Sequence, residues 1–120
     1  DQPYAMVGVN VIAADTDEEA RRLFTSAQQS FANLLRGTRG KLPPPIDDIE
    51  SYWSQMEKGQ ASRMLSCSVV GSPEMVRRGV QLLIERTGAD EFIVAAAIYD
   101  HQTRLRSYEI LAEVMRAVEP

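Results

Sequence analysis

Basic residues are in short supply. Thirteen lysines and arginines stand against seventeen aspartates and glutamates, for a formal net charge of −4. No basic stripe is available to neutralise phosphates, so neither nucleic acid nor an anionic membrane is supported as a partner. Cysteine is almost absent: Cys67 stands alone, which excludes an internal disulfide, gives no metal-binding spacing and fits a reducing compartment. Long apolar runs are missing as well. The longest, around Met6 to Ala14 and Phe92 to Tyr99, fall far below the ~20 residues of a membrane helix, and no signal-peptide pattern opens the chain. A cytoplasmic protein is expected. The remaining composition, 44% hydrophobic and 25% charged over 120 residues, is that of a globular chain with one modest core. The sequence starts Asp1-Gln2-Pro3-Tyr4 and enters strand-like residues at once, which leads us to expect a segment of a longer protein.

Tyr4 to Ala14 is almost continuously apolar, as in a strand covered on both faces of a parallel sheet. Asn10 interrupts it, and its amide must find partners, either within the sheet or on a ligand. Thr16-Asp17-Glu18-Glu19 then provides a capping residue and an acidic first turn. Ala20, Leu23, Phe24, Ala27, Phe31, Leu34 and Leu35 follow the stripe of an amphipathic helix that Gly37 is placed to end. From Thr38 to Arg63 periodicity stops. Pro43 to Pro45 hold the segment extended, and Tyr52-Trp53 are large enough to wall a pocket or to anchor the connection. Arg36, Arg39 and Lys41 form a small basic cluster beside it, suited either to an anionic ligand or to a solvated helix end.

Met64 to Val70 is expected as a short strand with Cys67 as a small buried residue. Ser72-Pro73-Glu74 starts a second helix whose inner stripe is Val76, Gly79, Val80 and Leu83, with Gly88 closing it. Glu91 to Tyr99 makes a further doubly covered strand. Thr103 to Val118 makes a final helix with Tyr108, Leu111, Ala112, Met115 and Val118 on its inner side. The alternation is that of a parallel α/β protein. Three such units cannot close a barrel, and apolar strands would leave exposed edges for other parts of the chain, or another copy, to cover.

Several segments, taken in order, resemble the C-terminal end of bacterial luciferase-like flavin-dependent monooxygenases: V-G-S-P-E-M-V at Val70–Val76, A-D-E-F-I-V at Ala89–Val94 and D-H-Q-T-R-L-R-S-Y-E-I-L-A-E at Asp100–Glu113. The opening P-Y-A-M-V-G-V-N-V-I-A-A-D-T-D-E-E-A, Pro3–Ala20, is similar to the stretch about three strands from the end of that fold, and Leu42–Ile46 matches the L-P-P-P-I insertion of one subgroup. The resemblance implies the last three βα units of a TIM-type (β/α)8 barrel, with 38–63 as a lid-like loop within a single fragment. It further implies that reduced FMN and oxygen act on an aldehyde or another small organic substrate. The three strands would then be the sixth, seventh and eighth, and catalytic groups belong at their C-terminal ends.

Those ends carry Asp15, Thr16, Gly71, Ser72, Tyr99, Asp100, His101 and Arg104. His101, the only histidine, is suited to acid–base work or a hydrogen bond to flavin or substrate, with Asp100 beside it. The alternative is a structural one: Asp100 caps the last helix, His101 lies in its exposed first turn and Arg104 pairs with an acid. Tyr99, Arg104 and Ser72 are the candidate cofactor contacts. Ser72 offers a helix N-terminus to a phosphate, although in this family the main flavin contacts come from earlier strands. No metal is expected. The isolated chain should be inactive and should self-associate, and the complete protein is expected as a homo-oligomer. Two other readings use the same residues: a deazaflavin-dependent oxidoreductase of the same fold, and a non-catalytic, self-associating α/β binding module.

Overall fold

In the computed structural model, residues 6–38, 40–66, 68–88 and 91–117 are described. The elements run β1 (Met6–Ala13), α1 (Asp17–Leu35), a single 3-10 turn (Ile49–Ser51), α2 (Gln55–Met64), β2 (Val69–Gly71), α3 (Pro73–Thr87), β3 (Glu91–Ala95) and α4 (His101–Ala117). All pairings are parallel and the strand order is β2-β1-β3. β1 meets β3 over five pairs from Met6–Glu91 to Asn10–Ala95, and β2 over three pairs from Val11–Val69 to Ala13–Gly71.

The two faces of β1 feed two clusters, as the two-residue side-chain period requires. Val9, Val11 and Ala13 pack with Val76 and Val80 of α3 and Ile110, Leu111 and Val114 of α4. Ile12 and Ala14 pack with Ala20 and Leu23 of α1 and with Ala96 and Ile98. Helices therefore flank both faces of the sheet. Each fully buried Val or Ile contributes about 1.5–3 kcal/mol of transfer free energy, and Val11, Ile12, Val76, Ile98 and Ile110 are all buried to that degree. α3 can approach β2 because Gly79 has no side chain: a Cβ there would lie 2.7 Å from Val69 Cγ1.

Several expectations need correction. Consecutive strands of a barrel are neighbours in sequence order, which would put the second strand in the middle; β1 occupies that place, and the second strand is a three-residue edge. The chain also departs from a plain barrel segment in placing α1 and the α3–α4 pair on opposite faces of the sheet. The strand expected from Met64 to Val70 is shortened to Val69–Gly71, because residues 55–64 are helical. Ser54 accepts from Glu57 N while the Glu57 carboxylate accepts from Ser54 N, a capping box at the start of α2. The stretch 38–63 is thus not one long irregular loop.

β3 ends at Ala95, not Tyr99, and is not covered on both sides: Ile93 is 57% exposed. In α4 the buried stripe is Ser107, Ile110, Leu111 and Val114, so Tyr108, Ala112 and Met115 turn outward. Leu34 and Leu35, placed in the stripe of α1, are also exposed. Tyr4, Arg39, Cys67 and Val118 lie outside the described residues.

Candidate functional site

Because every strand is parallel, the three C-terminal ends share one edge of the sheet, the position where crevices form in α/β proteins. β3 parts from β1 after the Asn10–Ala95 pair, and a tight turn follows, closed by Ile98 N donating to Ala96 O at 2.8 Å. Backbone groups of β1 that lose their ladder there are met by side chains. Asn10 Oδ1 accepts from Ala97 N at 3.1 Å, and buried Ser107 of α4 accepts from Ala13 N at 2.9 Å while donating to Val11 O at 3.4 Å. Arg106, next in sequence, reaches Asp15 just beyond β1 at 2.9 Å. The segment R-L-R-S therefore clasps the start of α4 to the end of β1.

Asp100 is the N-cap of α4. Its Oδ2 accepts from Thr103 Oγ1 at 2.8 Å and from Thr103 N at 2.9 Å, which holds its carboxyl below the usual carboxylate range. His101 is exposed in the first turn of α4. Arg104 Nη2 lies 2.7 Å from His101 Nδ1. A guanidinium only donates, so Nδ1 accepts and a neutral ring carries its proton on Nε2. Arg104 is thus partnered by the histidine and not by an acid. Tyr99 is exposed at the same corner.

Ser72 lies across the edge, at the N-terminus of α3. Its backbone N–H donates to Asp17 Oδ1 at 2.7 Å, and its hydroxyl makes no capping bond. The Ser72 amide is the leading cause that holds Asp17 below its ordinary range. The protein's own carboxylate thus occupies the position a phosphate would take. The edge brings Asp100, His101, Arg104 and Tyr99 into one run beside Asp15 and Arg106, with Ser72 held by Asp17. Among the described residues no group of three or more His, Cys, Asp or Glu is placed to hold a metal, and no described helix is long and apolar enough to cross a membrane.

The segment between α1 and α2 runs back along α1. Ile46 N donates to Thr25 Oγ1 at 2.9 Å, Gln29 Nε2 to Pro44 O at 2.9 Å and Arg22 Nε to Asp47 Oδ1 at 2.7 Å. Arg36 grips Glu57 with two bonds of 2.6 and 2.9 Å, donates to Tyr52 O and stacks over the Tyr52 ring at 4.8 Å. That pairing, with the Ser54 amide second, lowers the Glu57 pKa to about 2. Arg36 is therefore not part of an anion site, and Tyr52, which donates to Asn33 of α1, anchors the connection, while Trp53 bonds Glu50 within it.

Sequence reasoning missed Asp17, Arg106 and Ser107 as parts of this edge. Asp17 and Arg106 find partners 55 and 91 residues away, which no local pattern reports. Ser107 had a signal: it is a polar residue at a core position of α4, in register with Ile110, Leu111 and Val114.

No protein-family profile matches the chain. It is 46% identical over 114 residues to a protein of Escherichia coli (strain K12) named luciferase-like monooxygenase, a match that spans 95% of this chain and 34% of that protein. It is 45% identical over 116 residues to the uncharacterized protein YvbT of Bacillus subtilis (strain 168), spanning 97% of this chain and 34% of that protein. The crystal structure of apo-MsnO8 superimposes with a TM-score of 0.74 at 27% identity, over 99% of this chain and 36% of that one. The chain thus spans about a third of the length of the curated relatives it matches. Within that span, identity along nearly its whole length and an α/β fold of parallel strands and helices support a luciferase-like monooxygenase family for this sequence.

Proposed function

We propose that this chain forms the C-terminal wall of a cytoplasmic luciferase-like monooxygenase, a (β/α)8 barrel in its complete form, which uses reduced FMN and oxygen to oxidise an aldehyde or another small organic substrate. The observation that carries the reading is the 46% identity over 114 residues to the luciferase-like monooxygenase of E. coli. β1 and β3, paired over five residues, have the adjacency of two successive barrel strands, and β2 is a short piece against the end of β1.

The residues of this chain do not by themselves fit the phosphate of FMN. The Ser72 amide is bonded to Asp17, the Asp100 carboxylate caps α4, and Arg106 is paired with Asp15. The phosphate site therefore belongs to parts of the protein outside this chain. The side chains left at the edge are Tyr99, which offers an aromatic face, and His101, which offers the Nε2 N–H as a donor while Arg104 holds its Nδ1. His101 then binds or orients an acceptor atom in place of abstracting a proton. Asp100 acts through the placement of α4. Alone, the chain is inactive and self-associates, because exposed Ile93 of β3 and Leu105, Tyr108 and Met115 of α4 present apolar surface with nothing described against it.

The test uses the complete gene product. Tight binding of FMN and oxygen uptake that depends on reduced FMN and an organic substrate are expected, with His101→Gln retaining more activity than His101→Ala because an amide keeps a donor. Absence of both flavin binding and oxygen uptake would overturn the reading. Equal activity of both variants and the parent would remove His101 from the site.

A further inference from the structure

The stretch 97–107 carries Tyr99, Asp100, His101 and Arg104, and its internal bonds give it a shape of its own. Asp100 Oδ2 accepts from Thr103 N, Arg104 N donates to Asp100 O at 2.9 Å, and Arg104 Nη2 meets His101 Nδ1. Bonds of this local kind do not fix where the shape lies on the sheet. Its place is set by β1, which holds the stretch at both ends.

At the near end, Asn10 Oδ1 accepts from Ala97 N at 3.1 Å. The atom that meets an N–H donor must be the amide oxygen, so the bond orients Asn10 as well as Ala97. The next residue, Ile98, is fully buried in the cluster of Ile12 and Ala14, on the same face of β1 as Asn10. At the far end, fully buried Ser107 bonds both Ala13 N and Val11 O. The Arg106–Asp15 pair lies beside it, but both side chains are exposed and such a pair contributes little. Tyr99, Asp100 and His101 are exposed between the two attachments. The corner cannot shift along the sheet without breaking a bond to Ala97 N or Ala13 N, each an N–H that β3 no longer serves. The position of β1 is thereby passed to the His101 ring.

We propose that Asn10 and Ser107 are positioning residues, which hold the Tyr99–His101 corner at a fixed place over the C-terminal end of β1. The chemistry that the corner serves rests on the flavin reading, whereas the clamp depends only on bonds within this chain.

The test uses the complete gene product with its histidines labelled with ¹³C at Cε1, the His101 signal being the one missing from His101→Gln. At one fixed pH the parent should give a single narrow His101 signal. Asn10→Ala removes the acceptor for Ala97 N and should move or broaden that signal. Asn10→Asp keeps an oxygen acceptor there and should return it towards the parent position. Ser107→Ala should disturb the same signal. In oxygen uptake with reduced FMN and octanal, Asn10→Ala should lower kcat/KM about tenfold or more, as a misplaced group does, and Asn10→Asp should recover most of it. In the His101→Gln background the loss caused by Asn10→Ala should shrink to below about threefold, because residues that act through one group are not additive. An undisturbed His101 signal in both Asn10→Ala and Ser107→Ala, or an equal activity loss with and without His101, would overturn the proposal. If Ser107→Ala does not fold, the two Asn10 variants decide. A His101 signal that responds as expected in a protein without flavin-dependent oxygen uptake would overturn the flavin reading and leave the clamp standing.

Discussion

Replacing Ser107 with alanine should loosen the sheet edge on which the candidate site is built. Ser107 is fully buried and Ala13, whose N–H it accepts at 2.9 Å, is fully buried too. The variant leaves that N–H with neither a protein partner nor water, which costs about 1–3 kcal/mol. The bond donated to Val11 O, at 3.4 Å, is long and adds little, and loss of one oxygen opens only a small void. For a chain of this size a loss of that range lowers Tm by about 4–12 °C. Urea unfolding followed by circular dichroism, at one fixed protein concentration, measures it against Ser62→Ala, an exposed serine of α2 expected to gain only the few tenths of a kcal/mol by which alanine favours a helix. Hydrogen exchange at the Ala13 amide should accelerate in the same variant. A loss below about 0.5 kcal/mol, within the range of ordinary surface substitutions, would refute the reasoning that the hydroxyl replaces a ladder bond.

Glu57 should confer acid sensitivity. Its pKa is lowered to about 2 by Arg36 from an ordinary 4.5, so the stability it brings is complete above 4.5 and is lost as the pH falls towards 2. Over that window Glu57→Gln should lose less stability than the parent chain, and parallel curves would contradict the clasp. Gly79→Ala puts a Cβ 2.7 Å from Val69 Cγ1 and should cost about 1–3 kcal/mol by overpacking, less whatever alanine gains as a helix former. Adding Val69→Ala should recover part of that loss, and additivity of the two changes would argue against the contact. Arg106→Ala breaks an exposed pair with Asp15 and should destabilise less than Ser107→Ala, by an amount that shrinks in high salt.

The parts of the fold that were legible in the sequence were those governed by local patterns. Thr16 caps α1 through Glu19 N, Gly88 closes α3 in the left-handed conformation, and Val76 and Val80 face the core. Asn10 finds a backbone partner at Ala97 N, in the turn just past β3. Where apolar composition was the only guide, the reading drifted. Met64 to Val70 has no alternation to separate strand from helix end, and the Ser54–Glu57 capping box upstream was the signal that would have moved the boundary. Sheet order was not legible at all, because β1 pairs with β3 across more than eighty residues. In α4 every third or fourth residue is apolar on two adjacent faces, and only the position of Ser107 against β1 decides which face is buried.

At the candidate site, the sequence placed Asp100, His101 and Arg104 past the last strand but left open whether Asp100 capped α4. The Thr103 bonds make Asp100 the cap of α4, while Arg104 meets His101 and not the acid expected for it.

The central claim, that this chain is the C-terminal wall of a flavin-dependent monooxygenase, is tested most directly by supplying the complete gene product with reduced FMN, a panel of small organic substrates and ¹⁸O₂. The account predicts one labelled oxygen atom in an organic product and the other in water. Flavin oxidation that yields only hydrogen peroxide, with no label in any product, would contradict it.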